Sequence, residues 1–164
     1  MRQALFNILA GRIEDSVFID LYAGTGAIGM EAMSRGAKAV YFVEADKKLA
    51  ARLRDLLDGC GCRPRATVLD LQAETFIKRP GAGLAADIVF LDPPYASGEL
   101  EKILPLLSAP EKSVLSDGAL VIAEHATKSA LPGEIGVLRR KRTYKYGDTS
   151  LSLYEVKRRH EGQK

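Results

Sequence analysis

Four consecutive residues carry the clearest chemistry in this sequence: Asp92-Pro93-Pro94-Tyr95. They follow a short, mostly apolar run, residues 87–91, which has the pattern of a buried strand. Because the two prolines cannot continue a hydrogen-bonded ladder, they stiffen the backbone and present a carboxylate, a carbonyl and a ring with little freedom. Such a turn suits a grip on a flat polar group. The alternative is a proline-rich turn whose acid caps the next helix.

A glycine-rich loop forms a second candidate site. Gly24, Gly26 and Gly29 give the spacing G-x-G-x-x-G directly after an apolar run at residues 17–21 and before a helical pattern. Glycines in this context let a ligand approach backbone N–H groups at the positive end of a helix. The alternative is a tight turn from strand to helix with no ligand.

Two acids indicate which ligand the glycine loop would bind. Glu44 follows Gly24 by 20 residues at the end of a second apolar run, where a carboxylate can accept hydrogen bonds from both hydroxyls of a ribose. An adenosine-type cofactor is therefore expected, and NAD and S-adenosylmethionine both fit. Asp20 lies just ahead of the loop, where it would repel a pyrophosphate but attract the ammonium group of a methionine moiety. This favours S-adenosylmethionine.

The elements that must position these residues alternate between strands and helices. This alternation predicts one α/β domain, residues 1–164, with a mostly parallel seven-stranded sheet covered on both faces and an antiparallel C-terminal hairpin. Strands are predicted at residues 17–21, 39–44, 66–69, 87–91, 119–123, 136–144 and 150–157. Helices are predicted at residues 2–9, 30–35, 47–57, 73–77 and 99–107.

Methyl transfer to a planar amine joins the two candidate sites. Both lie at C-terminal ends of parallel strands, and ligands bind at that edge near the topological switch point. Hydrogen bonds to the Asp92 carboxylate and the Pro93 carbonyl would raise the sp³ character of an exocyclic amine and fix its angle of attack, while Tyr95 stacks on the ring. Positioning would supply most of the rate. A base in structured nucleic acid must be swung out to reach this pocket.

The composition is that of a soluble globular protein, with 46% hydrophobic and 27% charged residues and a net charge of +3. No apolar run approaches bilayer length and the first residues lack a signal-peptide layout, so we expect a cytoplasmic protein. No exposed apolar stripe stands out, so we expect a monomer.

Cys60 and Cys62 are interpreted as loop thiols, because two thiols alone cannot complete a zinc site. No metal is expected.

Positive charge is concentrated at the C-terminal end. Residues 139–164 hold nine Lys or Arg against three Asp or Glu, which suggests contact with a polyanion. The mixture of cations and aromatic rings favours RNA over a hairpin edge that is merely protected by charge, whereas residues 157–160 are interpreted as a solvated tail. For His125, a ring satisfied by the backbone is favoured over a contact with a base. The candidate RNA-binding residues are Arg139, Arg140, Arg142, Lys145 and Tyr146.

The turn at residues 92–95 resembles the (D/N)PP(Y/F) signature of amino-group methyltransferases that use S-adenosylmethionine. More narrowly, the chain resembles RsmD-type methyltransferases, which modify guanine N2 in bacterial 16S rRNA. The resemblance spans nearly the whole chain, and the Ser-Arg-Gly-Ala helix end and the Tyr-Gly-Asp-Thr turn are its most specific parts. The segments that carry it are residues 2–9, 20–26, 29–37 and 146–151.

This resemblance implies a Rossmann-like methyltransferase fold, S-adenosylmethionine as methyl donor, and 16S rRNA, free or in the 30S particle, as substrate. Methylation of adenine N6 or glutamine, and a noncatalytic RNA-binding module, remain as alternatives. The family has an N-terminal extension that we expect to be absent here. It also has Asp-Ala where this chain has Gln72-Ala73, so the adenine amine would meet the Gln72 side-chain oxygen or a carbonyl. The implied cofactor-binding residues are Asp20, Ala23, Gly24, Thr25, Gly26, Gly29, Glu44, Ala45, Gln72, Ala73 and Asp92.

Overall fold

The computed structural model describes residues 1–79, 83–110 and 113–157. Over these residues the chain forms one eight-stranded sheet with helices on both faces. The strands are β1 (Val17–Asp20), β2 (Ala39–Val43), β3 (Ala66–Leu69), β4 (Ala86–Leu91), β5 (Leu115–Ala126), β6 (Glu134–Ile135), β7 (Leu138–Tyr146) and β8 (Thr149–Val156). The helices are α1 (Arg2–Ile8), α2 (Ala27–Ser34), α3 (Lys47–Gly59), α4 (Ala73–Ile77) and α5 (Glu99–Leu107).

The parallel part of the sheet brings the two candidate sites together. Strands β1 to β5 lie side by side in the order β3-β2-β1-β4-β5, each parallel to its neighbour. The order reverses between β1 and β4, which makes this pair the topological switch point where open α/β sheets bind ligands. β1 ends at Asp20 and β4 ends at Leu91, directly before Asp92. The predicted meeting of the two sites is confirmed.

The antiparallel end of the sheet is formed by β8, β7 and β6. The β7–β8 hairpin turns at Gly147 and Asp148, as predicted, and Gly147 has a φ of +62°, which favours glycine. The sheet has one strand more than the seven predicted, because β6 adds two residue pairs to β7. A two-residue strand is too short to give a periodic signal in the sequence.

Each face of the sheet is covered by its own set of helices. Helices α1, α2 and α3 pack on one face through residues such as Phe6, Met33 and Leu53. Helices α4 and α5 pack on the other face through residues such as Phe76 and Ile103. The predicted α/β fold with helices on both faces is therefore confirmed. None of the described helices combines the length and apolar character needed to cross a bilayer.

Cys60 and Cys62 are joined by a disulfide, so their interpretation as free loop thiols is wrong. Gly61 between them has a φ of +69°, a left-handed conformation that turns the chain back on itself. The two Cα atoms lie 5.4 Å apart as a result. This separation is within the range that a disulfide spans.

One glycine of the glycine loop has a packing role. Gly29 lies in α2 and faces β2, where a Cβ at this position would come within 2.3 Å of the Phe42 ring and 2.9 Å of Val40. Phe42 is fully buried, so its ring has little room to move aside. Glycine at this position lets α2 lie close to the sheet and sets the position of the loop before it.

We expect Gly29→Ala to lower the free energy of unfolding by about 1–3 kcal/mol, because the overpacked methyl group displaces Phe42. Urea denaturation measures the change. Gly59→Ala is the matched control, since Gly59 is also helical and an added Cβ there meets nothing within 4 Å among the described residues. The control should gain up to about 1 kcal/mol from helix propensity. Equal effects of the two substitutions would contradict this account of Gly29.

Candidate active site

A cavity of about 660 Å³ opens at the C-terminal edge of the parallel strands. Its walls come from the segments that follow β1, β2, β3 and β4, so it lies at the switch point. Eight of the residues predicted to bind or act on ligands line it: Gly24, Glu44, Ala45, Gln72, Ala73, Asp92, Pro93 and Tyr95. Within the described parts of the chain, no group of three or more His, Cys, Asp or Glu is arranged to hold a metal ion.

The glycine loop divides into a part that faces the cavity and a part that packs. Gly24 has a φ of +56° and lines the cavity, and an added Cβ would meet no described atom within 4 Å. Gly26, with a φ of +81°, begins α2 and lies against Leu53. Gly24 is thus the glycine that leaves room for a ligand. The other predicted contacts, at Asp20, Ala23, Thr25, Gly26 and Gly29, are not among the residues that line the cavity.

Glu44 is held by two backbone N–H groups. Its Oε2 accepts a hydrogen bond from the Gly24 N–H at 2.7 Å, and its Oε1 accepts one from the Asp46 N–H at 2.8 Å. Asp46 in turn caps α3 by accepting from the N–H groups of Lys48 and Leu49. Each carboxylate oxygen has a second lone pair. Glu44 can therefore shape the loop and still accept the two hydroxyls of a ribose.

Asp20 is a buried acid with one hydrogen-bond donor. It is 1% exposed, and its Oδ2 accepts from the Gly29 N–H at 3.1 Å. Burial raises the pKa of Asp20 from 3.8 to about 7, the Gly29 N–H opposes this, and the negative charges of Asp92 and Glu44 add to it. A cation brought close would favour the ionised carboxylate. This environment fits the predicted attraction for an ammonium group.

Asp92 is open to the cavity. No hydrogen bond or ion pair holds its carboxylate among the residues that the structure describes. Burial raises the pKa of Asp92. The adjacent Pro93 is buried, so the stiff turn is anchored while the acid remains free. An acid without a partner at a cavity wall is available to accept hydrogen bonds from a ligand.

Tyr95 connects the turn to the hairpin. Its ring lines the cavity and is 48% exposed, and its hydroxyl donates to the Thr149 Oγ1 at 2.9 Å. Thr149 is the first residue of β8, directly after the Gly147–Asp148 turn. The position of the ring is therefore set by a residue 54 positions further along the chain.

Three residues at the site were missed by the sequence analysis. Glu124, near the end of β5, lies 3.4 Å from the Tyr95 hydroxyl. Its position after an apolar run is the same signal that identified Glu44. The Tyr22 hydroxyl donates to the Glu99 Oε2 at 3.0 Å across the cavity wall. This contact joins residues 77 positions apart, and no sequence spacing indicates it.

His125 is satisfied inside the protein, as favoured from the sequence. It is 5% exposed, and its Nδ1 lies 2.9 Å from the Ala126 carbonyl oxygen. Its Nε2 lies 2.8 Å from the Ser152 Oγ, which also contacts the Thr143 hydroxyl. With Nδ1 donating to the carbonyl, the neutral ring accepts from the serine at Nε2. His125 therefore holds β5 to β8.

The five candidate RNA-binding residues differ in what already holds them. Arg139 pairs with Glu134 at 3.1 Å, and the Arg140 Nη1 donates to a backbone carbonyl at 2.7 Å. A bulge follows Arg140 and turns Arg142 toward the opposite face, where its guanidinium lies 4.9 Å from a tyrosine ring centre. Lys145 and Tyr146 are exposed near the turn. The tail at residues 158–160 lies outside the described residues.

A groove of about 680 Å³ runs between α1 and the end of β7. Its walls combine amide side chains of α1, Gln3 and Asn7, with the rings of Tyr144 and Tyr146 on β7. The groove lies on the same face of the sheet as Arg142. Rings, amides and cations on one surface are typical of proteins that bind single-stranded RNA.

Comparison with known proteins agrees with this geometry. The family model described as conserved hypothetical protein 95 matches residues 1–155. Ribosomal RNA small subunit methyltransferase D of Haemophilus influenzae is 35% identical over 158 residues, which cover 94% of this chain and 79% of that protein. The chain belongs to the RsmD-type methyltransferase family.

Solved structures share the fold of this RsmD-type chain. A conserved hypothetical protein from Streptococcus pyogenes is 31% identical with a TM-score of 0.85, covering 99% of this chain and 100% of that one. An RNA methyltransferase from Salinibacter ruber, solved in complex with S-adenosylhomocysteine, is 16% identical with a TM-score of 0.67, covering 99% and 96%. At that identity the likeness shows the fold alone. The predicted Rossmann-like methyltransferase fold is confirmed.

Asp20 makes the stability of the ligand-free protein depend on pH. A carboxyl group whose pKa is higher in the folded chain binds more protons when folded, so its ionisation lowers stability as pH rises from about 4 to about 7. Asp20→Asn removes that cost, because the amide carries no charge and its oxygen still accepts from the Gly29 N–H. Relative to wild type, the variant should gain up to about 4 kcal/mol between pH 4 and pH 8. Urea denaturation across this range measures the gain, and a difference that is the same at both ends would contradict it.

Proposed function

We propose that this chain transfers a methyl group from S-adenosylmethionine to the exocyclic N2 amine of a guanine in 16S rRNA. The observation that carries the proposal is the Asp92 carboxylate, which has no partner among the described residues and lies next to the Pro93 carbonyl and the Tyr95 ring, in the same cavity as Gly24 and Glu44. Donor-binding and amine-binding groups thus line one space. Amine methylation needs the methyl donor and the amine in contact with each other.

The residues present fit the methyl donor. Gly24 leaves room for the ligand beside the loop, and Glu44 has free lone pairs for the ribose hydroxyls. The exposed Gln72 lines the cavity after β3, and its side-chain oxygen is available to the adenine amine. Asp20 provides negative charge near the methionine end. The related fold from Salinibacter ruber is solved with S-adenosylhomocysteine, which supports the same class of ligand here.

The chain itself works mainly by positioning. S-adenosylmethionine supplies a methyl group on a positively charged sulfur. Asp92 and the Pro93 carbonyl accept hydrogen bonds from the amine, which localises its lone pair on nitrogen and aims it at that carbon. Tyr95 stacks on the base. The amine would lose one proton on methylation, and the Asp92 carboxylate, whose pKa is raised by burial, would be the base beside it.

Support for the substrate comes from the family. The relative from Haemophilus influenzae is named as a ribosomal RNA small subunit methyltransferase, and the chain's own residues carry the resemblance to enzymes that modify guanine N2. Labelled S-adenosylmethionine should therefore transfer label to 16S rRNA, either naked or in 30S particles. Label that enters only DNA or protein would overturn the rRNA proposal. We also propose that the chain acts as a monomer in the cytoplasm.

Replacing Asp92 by alanine should lower the rate of methyl transfer at least about 100-fold, the scale on which loss of one transition-state contact acts. Binding of S-adenosylhomocysteine, measured by calorimetry, should stay nearly unchanged, because Glu44 and Gly24 remain. Retained transfer would remove Asp92 from the mechanism. A wild-type chain that binds RNA but never transfers label would instead support the noncatalytic RNA-binding module.

RNA should bind the surface formed by the α1–β7 groove and the hairpin turn. Arg142→Ala and Lys145→Ala are each expected to weaken binding to 16S rRNA. Each should also reduce the slope of log affinity against log salt concentration by about 0.7–1, because one fewer phosphate is neutralised. Filter binding at several salt concentrations measures both quantities.

Lys78→Ala is the control for charge alone. Lys78 is exposed after α4 and pairs with Glu74. α4 packs on the face of the sheet opposite to the one that carries the α1–β7 groove. Its removal should leave affinity and slope unchanged. Loss of affinity in all three variants by the same factor would argue against a localised RNA surface.

A further inference from the structure

Glu124 lies beside Asp92 at the edge of the sheet. The parallel register pairs Leu91 of β4 with Ala123 of β5. The residues that follow them, Asp92 and Glu124, therefore lie side by side. Neighbouring positions on parallel strands point to the same face. Glu124 and Asp92 are therefore two adjacent carboxylates, and electrostatic repulsion from Asp92 contributes to the raised pKa of Glu124, after burial.

The hydrogen-bonding capacity of Glu124 is almost unused. The one hydrogen bond of its carboxylate within the described residues is with the Tyr95 hydroxyl at 3.4 Å, which is long for an O–H···O bond. The positive charge of the N-terminus acts on the carboxylate only through space. The Tyr95 hydroxyl has a single proton, and Thr149 accepts it at 2.9 Å. No described lysine or arginine pairs with Glu124. By contrast, Glu74 is held by two lysines.

A half-buried carboxylate next to a second one costs free energy unless donors satisfy it. Among the described residues no protein donor satisfies both carboxylates, which leaves them available to a ligand. Asp92 lines the main cavity, and Glu124 lines a smaller pocket of about 80 Å³ that shares the Pro93 and Tyr95 walls with it. A ligand that satisfies both carboxylates must therefore present two donors side by side. The expected ligand is thus a group with two adjacent hydrogen-bond donors.

We propose that Glu124 accepts the N1–H of the target guanine while Asp92 accepts the N2 amine, which makes Glu124 the residue that selects guanine. The inference rests on the proposed function and deepens it. The Watson–Crick edge of guanine carries N1–H and N2–H donors next to each other. Two adjacent carboxylates are complementary to that edge.

Other planar amines do not match this pair. Adenine carries a lone pair at N1 beside its N6 amine, and cytosine carries one at N3 beside its N4 amine, so either would direct that lone pair at the Glu124 carboxylate. The glutamine amide directs its carbonyl oxygen there. A site whose polar groups are left unpaired or repelled by the wrong ligand rejects it strongly. Glu124 therefore supplies discrimination that the four-residue turn lacks.

The first test compares Glu124→Gln with wild type on 16S rRNA and 30S particles, with N2-methylguanosine in digested RNA quantified by mass spectrometry. The glutamine amide has a donor where the carboxylate has an acceptor. The rate at which the Glu124→Gln variant forms N2-methylguanosine should therefore fall by about 5- to 150-fold, the discrimination carried by one such hydrogen-bonded pair. Affinity for S-adenosylhomocysteine should not change. Glu14→Gln is the matched control, because Glu14 is exposed in the loop before β1, at the edge of the sheet opposite to the cavity, and it should match wild type in both measurements. A Glu124→Gln variant as fast as wild type would overturn the inference.

The second test separates reading of N1–H from support of the fold. Once the methylated position is mapped, RNA carrying N1-methylguanine at that position is compared with the guanine RNA. Wild type should prefer guanine by a large factor, and Glu124→Gln should lose most of that preference. A role in folding alone would slow both RNAs equally and leave the preference intact, which would overturn the inference. The inference would also be overturned if the wild-type enzyme accepted N1-methylguanine as readily as guanine. This comparison of the two RNAs needs no variant.

The two proposals fail in different ways. If wild type forms no N2-methylguanosine in either substrate, the proposed function fails. If wild type forms it but the N1-methyl group has no effect, the function stands and only the role of Glu124 is wrong. Formation of N6-methyladenosine by wild type would overturn both.

Discussion

The hydrogen bond from the Gly24 N–H to the Glu44 carboxylate organises the site. It ties the loop after β1 to the end of β2, and the second oxygen of the same carboxylate holds the start of α3 through the Asp46 N–H. Gly29 lets α2, which follows the loop, lie against Phe42. One acid therefore sets the wall on which a nucleoside would lie, before any ligand contributes.

The carboxylates at the edge of the sheet make the candidate active site acidic, in contrast to the basic hairpin. Asp20, Glu44, Asp92 and Glu124 lie around the switch point, whereas a run of cations, residues 139–142, lies on the hairpin. An acidic site attracts a positively charged sulfur and repels phosphates. Under the proposed reaction, the RNA backbone stays on the basic surface and only a base enters. The thioether product has lost the positive charge, so the same field favours exchange of product for fresh donor.

The sequence predicted the parts of the structure that depend on local pattern. The order of strands and helices, the hairpin turn and the convergence of Gly24, Glu44 and Asp92 follow from periodicity and from the rule for parallel sheets. What it did not predict depends on contacts between distant segments. The Tyr22–Glu99 bond, the Tyr95–Thr149 bond and the packing of Gly26 on Leu53 each join elements whose spacing carries no signal. β6 is too short for periodicity, and the Cys60–Cys62 disulfide depends on the conformation of Gly61.

The bond between Tyr95 and Thr149 limits what the ring can recognise. A phenol has one proton, and here it is committed to β8. The hydroxyl therefore has no proton left to donate to a ligand, and stacking on the ring face discriminates weakly between one aromatic base and another. Under the proposed role of Glu124, the identity of the base is read from a separate strand, at the end of β5. Substitutions at the end of β5 can therefore change which group is modified while the turn at residues 92–95 stays the same. The same amine-binding turn can then occur in enzymes with unrelated targets.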